Sequence, residues 1–200
     1  MLLLIALPAQ AKTTLFDTRD EGAAGLLKNT QERTIKDYAN IFYANCVAGD
    51  PSVDMRDYNK SQCACAAANM PDALNLKQIQ ALFSPQQSDN RDYAYSRFMT
   101  LAYLPCMAHT MRDIVYDDCE ANPAYKKLVN LQAVCECIAD SQSEYISKHG
   151  DYLLPGYSGA GVDWTETAND PLSQVLGSKG FTIKADYNSS VCIQTKSFGW

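Results

Sequence analysis

No run of residues in this chain approaches the ~20 apolar positions that a helix needs to span a bilayer, so nothing in it reads as a transmembrane segment. Basic residues are outnumbered, 17 Lys and Arg against 23 Asp and Glu, for a net charge of -6. A surface of that sign repels a phosphate backbone, and nucleic acid is excluded as the expected partner. Histidine occurs twice, and neither an adjacent Cys-Cys nor a C-x-x-C occurs. These absences remove the commonest signatures of zinc and redox sites, and no cofactor is expected. What the chain does have is cysteine, eight in 200 residues, with 46% hydrophobic positions, enough for one sizeable core.

An even cysteine count points to an oxidising compartment, where the thiols pair as disulfides. The opening stretch MLLLIALPAQAK agrees with export. An apolar run from Leu2 to Leu7, then Pro8, then Ala9-Gln10-Ala11 reads as the remnant of a signal peptide over residues 1–11, with cleavage leaving Lys12 first. The expected location is periplasmic or extracellular.

The cysteines carry an internal repeat. Ile41, Tyr43, Cys46, Cys63, Cys65 and Ala67 correspond to Ile114, Tyr116, Cys119, Cys135, Cys137 and Ala139. Apolar positions at helical spacing predict two antiparallel helices in each unit. Ile35, Ala39, Phe42 and Cys46 line the first helix, capped by Asn29 or Thr30 and ended by Gly49 and Pro51. Cys63, Ala67, Met70 and Leu74 line the second, which breaks near Pro71. In the later unit Ala108, Met111, Val115 and Cys119 form one stripe. Leu128, Leu131, Cys135, Ile138 and Tyr145 form the other, with Asn122 and Pro123 turning the chain between them.

Residues two apart on a helix point about 200° apart, so the two cysteines of a C-x-C face different neighbours. One can clip its own hairpin while the other reaches elsewhere. The first cysteine of each pair lies on the apolar stripe, which favours Cys46 with Cys63 and Cys119 with Cys135. Of the four cysteines left for longer bridges, Cys65 with Cys106 and Cys137 with Cys192 are the favoured pairs, because the tail needs an anchor.

The remaining candidates are weaker. Residues 93–120 read as one long helix kinked or divided at Pro105, and PDALNLKQIQALF as a short amphipathic helix. His109 and Asp113 stand one turn apart, an acid–base spacing that is also an ordinary i,i+4 contact. Asp117, Asp118 and Glu120 surround Cys119 without EF-hand spacing, and His149 suits a helix C-terminus. Ser158 in GYSGA matches a nucleophile elbow up to Gly159, with Ala160 where the last glycine belongs. Asn59 and Asn188 head N-x-S sequons.

The expected fold is mainly α. A helical domain over residues 12–150 holds the two C…C-x-C hairpins, at about 30–70 and 103–149. Residues 151–200 form a Gly/Pro-rich loop and a small C-terminal β-hairpin packed on the helices, because FTIKADYNSSVCIQTKSF alternates on both sides of a polar turn. The expected function is an exported, non-enzymatic module that binds another protein, with Tyr152, Tyr157 and Trp164 as the contact region, since Tyr and Trp favour interfaces. A thiol-active or Cu/Zn-handling periplasmic protein and a hydrolase using the Ser158 loop are the alternatives.

Overall fold

Thr34 and Asp37 close a reciprocal cap on the first helix. The Thr34 backbone N–H donates to Asp37 Oδ2 at 2.7 Å, and the Asp37 N–H donates to Thr34 Oγ1 at 3.3 Å. The Thr34 hydroxyl and backbone bonds hold the Asp37 carboxyl below its ordinary pKa. The computed structural model describes residues 15–16, 33–48, 55–86, 88–153 and 171–198. Asn29 and Thr30, the caps expected from the sequence, lie outside them, and Thr34 serves instead.

From this cap α1 runs Ile35–Ala48, burying Ala39, Phe42 and Cys46 of the predicted stripe together with Tyr38, while Ile35 is half-buried. Helix α2 is Arg56–Ala73 and continues through Pro71 where a break was expected. A proline in the last turn removes one backbone bond where the ladder is about to end, so the helix tolerates it. Asn75 and Gln78 form a capping box that starts α3, Leu76–Leu82, and Ser88 caps α4, Asp89–Phe98. A π turn, Met99–Tyr103, joins α4 to α5, Leu104–Ala121, so the predicted long helix is continuous but widened just ahead of Pro105. A proline ring crowds the carbonyl four residues before it and cannot donate, and the wider turn relieves both problems. From α2, fully buried Gln62 donates its Nε2 hydrogen to the Tyr103 carbonyl at 3.0 Å. Helix α6 is Leu131–Leu153, α7 is Pro171–Leu176 and α8 is Lys179–Ser197.

The C-terminal β-hairpin is therefore corrected to a helix. No strand occurs among the described residues. Ser178 accepts from the Phe181 N–H to start α8, and Phe181, Asn188 and Cys192 are buried at helical spacing. The β-branched residues Thr182, Ile183, Val191 and Ile193 suggested strands. Burial of one helical face against α6 overrides that local preference.

Contacts between the helices give their directions. Along α2 and the α4–α5 spine, Tyr58 faces Asp117, Cys65 meets Cys106, and Arg97 reaches the Ala73 carbonyl, so the two run antiparallel. Helices α5 and α6 oppose each other as well: Cys119 meets Cys135, Arg112 meets Asp140, and a Cβ on Gly150 would come within 2.7 Å of Leu104. Helices α6 and α8 pair through Cys137 with Cys192 and Asn130 with the Lys196 carbonyl. Most of the core gathers where α1, α2, α3 and the spine meet, around Phe42, Met70, Ile79, Phe98 and Met107. A second, smaller cluster joins Val134 and Ile138 to Cys119, Cys135 and Cys192.

Gln142 sits in α6 with no solvent exposure, and among the described residues neither its Nε2 nor its Oε1 finds a hydrogen-bond partner. A buried amide left unsatisfied costs about 1–3 kcal/mol. Gln142→Met, unbranched and of similar shape, is expected to raise the free energy of unfolding by about 1–2 kcal/mol in urea titration. A loss of stability would show that the amide is engaged in solution.

Candidate functional site

Four disulfides use all eight cysteines: Cys46–Cys63, Cys65–Cys106, Cys119–Cys135 and Cys137–Cys192. The first and third are the hairpin clips favoured by the angular argument, and the other two are the longer bridges expected from the remaining cysteines. Their Cα–Cα separations, 5.5 to 5.8 Å, lie within the ordinary range for a bridge. Each C-x-C belongs to a helix lying between two others. Helix α2 sends Cys63 to α1 and Cys65 to α5, while α6 sends Cys135 to α5 and Cys137 to α8. Every step from α1 through α2, α5 and α6 to α8 is thus stapled once. The Asn69 amide lies over the second bridge, with Nδ2 3.2 Å from Cys106 Sγ. No thiolate remains to attack a disulfide or hold a soft metal while these bridges are intact.

A shallow groove of about 380 Å³ runs between α5 and α6, lined by His109, Asp140, Ser143, Glu144, Ser147 and Lys148 together with Pro105 and Ala108. The antiparallel packing of the two helices brings these residues together from separate parts of the chain. Arg112 binds Asp140 at 2.7 Å and approaches Asp113 at 4.0 Å, and Lys148 binds Glu144 at 2.5 Å. The Asp140 bond raises the Arg112 pKa, and the Lys148 bond lowers that of Glu144. Among the described residues no hydrogen bond joins exposed His109 to Asp113, Ser143 or Ser147. The nucleophile–base contact that acyl transfer uses is not formed there. His149 lies beside Tyr145, with ring centroids 5.1 Å apart and the planes tilted by 45°, in a surface contact.

At the far end of α5 the acidic cluster is taken up locally. Tyr58 donates its hydroxyl to Asp117, which pushes the Tyr58 pKa up to about 12, and Tyr116 donates to Glu120 at 2.7 Å. Asp118 is raised by desolvation and by the neighbouring Asp117 charge. Among the described residues no group of three or more His, Cys, Asp or Glu is arranged to hold a metal ion.

The chain matches no family model, no curated protein and no solved structure. Its functional reading therefore rests on its own residues. Ser158, Tyr157 and Trp164 lie outside the described residues, as does residue segment 1–14, and the Tyr152 side chain is not described although its backbone belongs to α6. Both sequon asparagines are buried. Asn59 is 8% exposed and donates to the Cys46 carbonyl at 3.2 Å, and Asn188 is 6% exposed, so neither presents its amide for modification in the folded chain. No helix among the described residues is long and apolar enough to cross a membrane.

Sequence reasoning missed the groove. The Glu144 and Lys148 pairing was legible as i,i+4 spacing, but nothing local places Ser143 or Asp140 beside His109. Phe16 was missed as well. It is buried in an aromatic cluster formed by residues far along the chain.

Proposed function

We propose that this chain is an exported, non-enzymatic helical protein that acts as a protein-binding or accessory module in the periplasm or outside the cell. The observation that carries the reading is the succession of four bridges, one for each step along the helices. Disulfides persist in oxidising compartments, and a chain that commits every cysteine to structural bridges is suited to one. A duplicated helix pair is part of the proposal. In both units the first cysteine of the C-x-C bonds back to the preceding helix, and the second reaches an element outside the pair. The aromatic stretch with Tyr152, Tyr157 and Trp164 is the proposed contact region, because such residues combine apolar area with a polar handle.

Two measurements on the native protein test this reading. Titration of thiols after denaturation without reductant is expected to find none, and N-terminal sequencing is expected to begin at Lys12. Two or more free thiols would favour the thiol-active or Cu/Zn-handling alternative, and an intact Met1 on a cytosolic product would end the export reading. A hydrolase using Ser158 would be revealed by labelling of that serine with an active-site-directed phosphonate.

A further inference from the structure

Phe16 belongs to no helix, yet its ring sits among four others. Its centroid lies 5.7 Å from Phe42 in a stacked arrangement, and 5.4, 5.9 and 5.6 Å from Phe83, Tyr95 and Phe98, all edge-on. The preceding Leu15 is 2% exposed, and its carbonyl accepts a hydrogen bond from Asn45 Nδ2 at 3.3 Å. The walls come from α1, from the residue that closes α3, and from α4, and they also contact one another. Phe42 meets Phe98 at 4.9 Å, and Tyr38 meets Phe83 at 5.0 Å. No bridge ties Leu15 or Phe16 to these walls, since all eight cysteines pair among the helices. The dipeptide is held as a bound peptide is held, by side chains in apolar pockets and by a polar contact to its backbone.

We propose that this aromatic seat is a peptide-recognition site for a Leu-Phe pair, that the chain's own Leu15–Phe16 turn is its resident ligand, and that a partner protein presenting the same pair in a turn displaces it. The proposal names the partner chemistry for the protein-binding reading and rests on that reading only for the partner. Aromatic rings in edge-on and stacked contact give the seat its preference for phenylalanine over an aliphatic side chain. The carboxamide of Asn45 reads the backbone of the residue before it. The resident segment is tethered, so it competes at an effective concentration on the order of millimolar. A free peptide binds appreciably only when the resident ring is removed.

The test uses the full chain as Phe16→Ala and Phe16→Leu, each checked for four disulfides by mass and for helix content by circular dichroism. The probe is a fluorescein-labelled peptide of residues 12–20, KTTLFDTRD. Saturable binding to the variants is expected, at least about tenfold tighter than to the unaltered protein, with none for the same peptide carrying alanine in place of phenylalanine. Folded variants that do not bind the peptide, or that bind the alanine control equally well, would overturn the proposal. So would unfolding of both variants, because a segment whose ring cannot be spared is core and not an exchangeable ligand. A failed titration leaves the thiol count and the N-terminal sequence untouched, so it removes the seat without deciding the exported-module reading.

Discussion

Exchanging Cys65 and Cys106 together for serine is expected to lower the free energy of unfolding by about 4 kcal/mol, read as a fall in the urea midpoint with a steeper slope, because the unfolded chain freed of the bridge exposes more surface. The bridge closes a separation of 41 residues, which in the chain-entropy model is worth more than the about 3 kcal/mol assigned to the separations of 17 and 16 closed by Cys46–Cys63 and Cys119–Cys135. It also links α2 to the spine, and with it the first helix pair to the rest of the molecule. Cys106 is 1% exposed, so a serine there would bury a hydroxyl in place of a sulfur. The Asn69 amide would at the same time lose the sulfur it approaches. A change below about 1 kcal/mol would mean that α2 and the spine hold their packing without the staple. Cys192→Ser should act more locally, loosening α8 from α6, because its bridge anchors only the last helix.

Phe98→Ala is expected to cost about 3–5 kcal/mol, the range for deleting a fully buried phenylalanine. Its side chain has no exposure and meets Phe16, Phe42 and Tyr103 with centroids 5.6, 4.9 and 6.4 Å away, so the space it vacates is bounded by rigid rings that do not collapse inward. Phe98 is a wall of the seat and Phe16 its occupant. The two substitutions should therefore separate, with loss of the wall acting on global stability and loss of the occupant acting on peptide binding. Thermal and urea unfolding measure the first effect, and a loss below about 1 kcal/mol at Phe98 would place the ring outside the cooperative core.

Much of the helical framework was legible because its signals are local. The stripe of Ala39, Phe42 and Cys46 lies within one helix, and all three are buried there. Pro105 announced a disturbance in the long helix, and the π turn appears directly ahead of it. The tail was misread for a physical reason. Alternating β-branched residues around Asn188-Ser189-Ser190 satisfy a strand pattern locally, but the side chains buried in this helix, Phe181, Asn188 and Cys192, recur with the helical period.

By itself the sequence determined the helical class of the stapled units and the logic of each C-x-C, because residue spacing and the 200° separation of alternate helical positions are properties of one helix. Only the tertiary structure decided which faces are covered. It made α8 a helix, drew Phe16 into rings from three distant elements, buried Gln62 against the Tyr103 carbonyl and left Gln142 without a partner among the described residues. It also withdrew both sequon asparagines from the surface. Burial is a relation between segments far apart in the chain. Local periodicity can nominate a face for the core, but only the packing of neighbouring helices settles what that face meets.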